Sequence, residues 1–125
     1  MLNMCALRQR MMQGSLLQLI ILIALYDEQS HGYKLLEKAN RLLIGRRPLK
    51  AGSLYTILRR MERSGLLKSE WSRSGGLGRR VYALTEKGLE RLIQGRQMVE
   101  NQRSVLDEMA NFYKDRFGEK ASERD

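Results

Sequence analysis

Apolar residues at Leu54, Ile57, Leu58 and Met61 recur at the i, i+3, i+4, i+7 spacing that places them on one face of a helix. The spacing predicts a short helix within residues 50–65 with that face buried. The same periodicity collects Gly52, Thr56, Arg59 and Arg63 on the opposite face, with Ser53 and Arg60 on one shoulder and Tyr55 on the other. Glu62 is the only acid in the segment, so the outer face is cationic and suits a polyanion. Gly65 stands where a left-handed residue ends a helix.

The flanking patterns read as a mounting for this helix. Residues 15–26 are apolar nearly all round: Leu16, Leu17, Leu19, Ile20, Ile21, Leu22, Ile23, Ala24 and Leu25. Such a helix must be covered on more than one side, and in so short a chain the second cover is another subunit, meeting Leu16, Leu17 and Ile20. Ser30 suits the N-cap of a further helix through about Leu43, with Tyr33, Leu35, Leu36 and Ala39 inward and Lys34, Glu37, Lys38 and Arg41 outward. Gly45-Arg46-Arg47-Pro48 then breaks the pattern, because Pro48 disfavours a helical Arg47.

Beyond Gly65, residues 66–73 partly alternate and predict a strand, residues 74–78 a glycine-rich turn, and residues 79–84 a second strand carrying Val81 and Tyr82. The two make a hairpin. Thr85 can cap a final helix over 86–117, which starts with favourable acids. Along it Leu92, Val99, Leu106 and Tyr113 repeat every seven residues, with Met98, Val105 and Phe112 beside them and Leu89 and Met109 broadening the stripe. Seven-residue spacing is the signature of packing against another helix, although Gly95 and Arg96 interrupt the seam. The expected organisation is an arm or short helix over 1–13, a winged domain over 14–85, a dimerisation helix over 86–117 and a frayed tail over 118–125.

Composition narrows the partners. A chain of 125 residues suits one globular domain. Its 23 lysines and arginines against 14 acids give a net charge of +9, which implies an anionic partner without choosing among DNA, RNA and lipid. One cysteine, Cys5, and one histidine, His31, allow neither an internal disulfide nor a zinc set, so no metal or cofactor is expected. Arg8 and Arg10 ahead of residues 16–25 imitate a signal peptide, but Tyr26-Asp27-Glu28-Gln29 offers no small-residue cleavage site. That apolar run is also well short of the ~20 residues that cross a bilayer. The expectation is a cytoplasmic protein without membrane insertion. No phosphate loop, metal set or paired catalytic constellation points to an enzyme.

Helix, helix, basic helix, hairpin and long helix is the order of a winged helix-turn-helix, and the residues resemble the PadR-type transcriptional regulators. The resemblance rests on three blocks: His31-Gly32-Tyr33-Lys34-Leu35; Gly52-Ser53-Leu54-Tyr55 through Leu58-Arg59-Arg60-Met61-Glu62 to Gly65-Leu66-Leu67; and Gly78-Arg79-Arg80-Val81-Tyr82-Ala83-Leu84-Thr85-Glu86-Lys87-Gly88. It covers about residues 14–115 and implies a mainly α fold with a small β-hairpin, the third helix in the DNA major groove and the wing on the backbone or adjacent minor groove. It carries over Ser53, Tyr55, Thr56, Arg59, Arg60 and Arg63 as DNA contacts on the third helix. Tyr33 either donates to a phosphate in that manner or belongs to the core; Lys68, Arg73, Arg79 and Arg80 give the wing its charge. His31 reads better as a helix-end residue than as a base reader, and Trp71 as a hydrophobic anchor of the core.

One position departs from the family. Many relatives carry a capping residue just before the third helix, where this chain has Lys50-Ala51. Either Ser53 caps a helix that begins later, or open N–H groups at Gly52 and Ser53 take a DNA phosphate, with Lys50 adding charge. Some relatives bind flat aromatic effectors near the middle of the final helix; Met98-Val99 stands there, so an effector is possible but none is predicted. The resulting expectation is a homodimeric repressor on double-stranded DNA. Its reading heads would lie about one turn, ~34 Å, apart on an inverted repeat. The alternative is a winged protein-interaction module that offers the basic face to an acidic partner.

Overall fold

A computed structural model of the chain describes residues 16–43, 47–73 and 78–118. The expected arm over 1–13, the turn residues 74–77 and residues 119–125 of the expected tail lie outside the described residues. In order, the elements are α1 (helical over the described 16–26), β1 (Ser30–His31), α2 (Gly32–Leu42), α3 (Ala51–Arg63), β2 (Leu67–Ser72), β3 (Arg79–Leu84) and α4 (Glu86–Phe117). Two compact units result, Met1–Ile93 and Gln94–Asp125. The elements are those of a winged helix-turn-helix with a long C-terminal helix.

In the first unit the periodic apolar faces converge. Ile21 and Leu22 of α1, Leu35 and Ala39 of α2, and Leu54, Leu58 and Met61 of α3 are all buried. Each large side chain among them contributes about 1.5–3 kcal/mol by leaving water. Ile57 is only half-buried, so the inward stripe of α3 is narrower than its spacing predicts. The α1 helix is covered on most sides, but Ile23 and Tyr26 are exposed and Leu16, Leu17 and Ile20 half-buried.

The sheet has three strands in the order β1-β3-β2, not two. Ser30 pairs with Tyr82 and His31 with Val81. This overturns Ser30 as the cap of α2: the sheet draws it into the interior, where its hydroxyl accepts from Lys38 Nζ at 3.4 Å. His31 takes its place, its Nδ1 accepting from the Lys34 N–H at 3.3 Å. A two-residue strand has no periodicity for a sequence to display, which is why the hairpin alone was legible. Tyr82 reaches the core from the middle strand, and burial pushes its phenol above the ordinary tyrosine range.

The corner from α3 into β2 is closed by hydrogen bonds. Gly65 takes a positive φ of 82°; its N–H donates to the Glu62 carbonyl, and the Leu66 N–H to the Met61 carbonyl. That pair of bonds is the Schellman termination that glycine permits. Lys87 Nζ adds a charge at the same end, 2.8 Å from the Ser64 carbonyl, where the helix dipole favours a cation. Thr85 caps α4 as expected, its Oγ1 accepting from the Gly88 N–H at 3.0 Å while donating to the Gly65 carbonyl at 2.6 Å.

In the second unit the α4 side chains Val99, Val105, Leu106, Met109, Phe112 and Tyr113 are exposed and Met98 is half-buried. Phe112, Tyr113 and Phe117 cluster with ring centroids 5.5–6.4 Å apart.

Candidate nucleic-acid interface

The start of α3 is held without being capped. Asn40 of α2 pairs with both backbone groups of Leu49: its Nδ2 donates to the carbonyl at 3.2 Å and its Oδ1 accepts from the N–H at 2.7 Å. The chain is thereby fixed two residues before the helix begins at Ala51. Lys50 occupies the cap position in extended backbone, φ −91° and ψ 154°, and makes no side-chain capping bond. The first intrahelical bond runs from the Leu54 N–H to the Lys50 carbonyl at 3.0 Å, so the N–H groups of Ala51, Gly52 and Ser53 have no acceptor within the helix. Ser53 does not cap a later start, because the helix already includes it. Around Gly52 there is open space: apart from its chain neighbours and the backbone of its own helix, no atom of the described residues comes within 4 Å of where a Cβ would lie.

Along the outer face Gly52, Ser53, Thr56, Arg59, Arg60 and Arg63 are all exposed, in the phase the sequence predicts. Thr56 Oγ1 donates to the Gly52 carbonyl at 3.0 Å, which leaves its oxygen as an acceptor. Arg59 Nε donates to the Tyr55 carbonyl at 3.4 Å. Among the described residues, Arg60 and Arg63 show no side-chain hydrogen bond or ion pair.

A second group of residues surrounds a cleft of about 730 Å³ between the start of α2, α3 and the wing; His31, Tyr33, Tyr55, Trp71, Arg79 and Arg80 line it. Tyr55 packs over Gly32 so closely that a Cβ there would lie 2.5 Å from its hydroxyl and 2.9 Å from its ring. Any larger residue at this position would require the Tyr55 ring to move aside. Tyr33 is 68% exposed, which removes it from the core and leaves it at the cleft. Its neighbour Gly32, not Tyr33, carries the inward position.

Trp71 is likewise not the core anchor that its apolar ring suggested: it is 67% exposed. The inward positions on this face of β2 and β3 are taken by Leu67 and Tyr82, nearer the strand ends that meet the core. Trp71 stands opposite Arg80 in the register, and the Arg80 guanidinium lies 5.2 Å from the ring centroid. Arg80 also donates to Ser69 Oγ at 2.7 Å, and Ser69 donates to Glu62 of α3 at 2.7 Å. The single acid of α3 thus ties the wing to the helix.

Arg79 Nη1 lies 3.3 Å from His31 Nε2. Because His31 Nδ1 accepts from Lys34, the neutral ring carries its proton on Nε2, and the guanidinium is a neighbour there rather than a donor. Its N–H groups remain available to an outside acceptor. Arg73 is exposed just past β2. Lys68 is exposed but alternates with Ser69, so it stands on the sheet face turned away from α3 and is not gathered with the others. Sequence reasoning missed Trp71, Gly32 and Asn40; only the second stood in a recognisable block.

The expected pairing residues are spread over both units. In the first unit, Leu16, Leu17 and Ile20 line an open groove of about 760 Å³ with Leu49 and Lys50, and Leu92 is half-buried.

The sequence profile of the PadR-like transcriptional regulator family matches residues 21–94, more than half of the chain. The chain belongs to this family. Solved PadR-type structures agree in fold. A PadR family transcription regulator from Clostridium difficile shares 29% identity at a TM-score of 0.63 over 75% of this chain and 97% of its own. A PadR-like transcriptional regulator from Bacillus cereus shares 29% at 0.68 over 81% and 96%. Bacillus subtilis PadR in complex with operator DNA shares 22% at 0.57, over 63% of this chain and 45% of its own. No curated protein matches the chain. The PadR-like match takes in the open start of α3, the cleft and the wing.

Proposed function

We propose that this PadR-like chain is a sequence-specific DNA-binding repressor that works as a homodimer on an inverted-repeat operator in the cytoplasm. The observation that carries the reading is the start of α3: three backbone N–H groups without intrahelical acceptors, no side-chain cap among the described residues, open space at Gly52, a lysine at the cap position and exposed arginines along the same face. A helix N-terminus of this kind receives a phosphate, and an arginine fork can bridge guanine O6 and N7. Lys50, Gly52 and Ser53 therefore position the backbone, Thr56, Arg59, Arg60 and Arg63 face the major groove, and Tyr33, Tyr55, Arg79 and Arg80 follow the flanking strand, with Arg73 nearby. The operator complex of the Bacillus subtilis relative supports the reading at the level of fold. No helix among the described residues is long and apolar enough to cross a membrane.

Pairing is supported by the exposed apolar stripe of the second unit, since contiguous exposed apolar surface marks an interaction site. Met98, Val99, Val105, Leu106, Met109, Phe112 and Tyr113 of one subunit would meet those of the other; in the first unit, Leu92 and the half-buried Leu16, Leu17 and Ile20 are the pairing candidates. Two heads held by such pairing read sites about one turn apart.

Selection of duplexes from a random pool tests the reading. An enriched inverted repeat should be bound at least about a thousandfold more tightly than its scrambled counterpart, with a salt slope of about −0.9 per phosphate contacted and two chains per duplex. Equal affinity for repeat and scramble would sink the sequence-specific reading, and one chain per duplex would sink the dimer.

A further inference from the structure

We propose that Trp71 is a DNA-contact residue of the wing, its indole packing against the deoxyribose of the strand that lies in the cleft between α3 and the wing. The inference rests on the DNA-binding reading above and adds a residue that composition and spacing assigned to the core. Trp71 follows Ser69 by two positions along β2, so both stand on one face of the sheet. Ser69 donates to Glu62 of α3, which identifies that face as the one turned toward α3. Trp71 therefore belongs to the cleft between the reading helix and the wing, not to the outer face that carries Lys68.

The indole is also held in place. Arg80 lies over its ring at 5.2 Å and is itself fixed by the 2.7 Å bond to Ser69, which continues to Glu62. An exposed tryptophan set against a guanidinium held in place by hydrogen bonds to Ser69 and on to Glu62 is pre-organised for a partner. The cleft around it is amphipathic in a specific way. Trp71, Tyr33 and Tyr55 supply apolar rings and Arg80 a cation, while Arg79, on the alternate face of β3 by register, borders the same cleft beside His31. A nucleic-acid strand alternates in the same sense, with an apolar sugar face between anionic phosphates. The rings take the sugars, Arg79 takes a phosphate, and the indole N–H of Trp71 has a phosphate oxygen within the same strand to donate to.

Trp71 is the only tryptophan in the chain, so its fluorescence reports this one contact. The full chain is titrated with the duplex of about 30 bp, some three helical turns, that it enriches from a random pool. The expected result is a change in Trp71 emission that saturates with binding, together with protection from acrylamide quenching. Trp71→Ala should weaken binding about tenfold, the scale of removing one aromatic side chain from a nucleic-acid interface, and Trp71→Phe should retain most of the affinity. Thermal unfolding of both variants should match the parent, because the side chain is exposed. Binding with unchanged Trp71 emission and quenching, and with Trp71→Ala within twofold of the parent, would overturn the contact while leaving the DNA reading intact. If no duplex is enriched or retained even at low salt, the DNA reading itself fails and the inference falls with it.

Discussion

The starts of α3 and α4 solve the same problem in opposite ways. Both leave N–H groups without intrahelical acceptors. At α4, Thr85 accepts from the Gly88 N–H, ties itself to the Gly65 carbonyl, and is followed by Glu86, an acid where the dipole favours one. At α3, Lys50 supplies no bond, no acid lies in the first turn, and the nearest side-chain charge has the sign that the dipole disfavours. The difference is local. The far end of α3 has a complete Schellman turn and Lys87 on the Ser64 carbonyl, and the Asn40 clamp on Leu49 fixes the entry of the chain without using the N–H groups. The closed start ties α4 to the corner after α3; the open one, on the proposed DNA-binding reading, keeps its donors for an anion.

Closing the open start should produce the largest effect. Lys50→Asp places a capping side chain and a favourable charge at α3, which stabilises the free chain by about 1 kcal/mol. It also sets a carboxylate where a phosphate would bind. Affinity for the selected duplex should fall by tenfold or more, and the salt slope should flatten by about 0.9 because one phosphate is no longer neutralised. Lys50→Ser separates cap from charge: it should recover part of the stability gain and lose less affinity. Fluorescence anisotropy at several salt concentrations, beside thermal unfolding, gives both numbers. If Lys50→Asp binds DNA as well as the parent, the open start is not an anion site and the comparison breaks.

Opening the closed start should do the reverse. Thr85→Ala removes the cap and its tether to Gly65, and should cost about 1–2 kcal/mol of stability, read as a lower midpoint in thermal or urea unfolding. Affinity of the folded protein for the duplex should stay within twofold. A variant of unchanged stability would mean that the hydroxyl contributes nothing beyond what water supplies.

Much of this architecture was legible in the sequence because it rests on periodicity. The stripes of α2 and α3, the left-handed Gly65 and the Thr85 cap follow from spacing and from local backbone chemistry. The failures share another cause. Ser30 joined a two-residue strand and Trp71 stayed outside the core, each through pairing with residues distant in sequence. Register sets which strand positions face α3, and Gly32 lies close under the Tyr55 ring; neither distance can be read along the chain. The missing cap at Lys50 was visible as a departure, but the Asn40 clamp that makes it tolerable joins residues nine positions apart and has no local signature.

A third helix start sharpens the comparison with the smallest expected effect. At α2, His31 caps the first turn, and Glu28 just before it accepts from Lys34 at 2.8 Å and from Lys38 at 3.2 Å. The hydrogen bond from Lys34, then that from Lys38, then their charges hold the Glu28 carboxyl below the usual glutamate range. A carboxyl lowered in the folded state binds its proton more weakly there than in the unfolded chain. Its contribution is therefore present at neutral pH and above the ordinary glutamate value, and is lost as pH falls through that value to the lowered one. Because Glu28 is exposed, water and salt screen the pair and the contribution is small. Glu28→Gln should lower the unfolding midpoint slightly at neutral pH, and the parent and variant curves should merge below the lowered value; raising the salt concentration should close most of the gap. Duplex affinity should not change, since His31 already supplies a side-chain cap at this start. A loss of affinity comparable to that of Lys50→Asp would show that an open N-terminus is not what distinguishes α3.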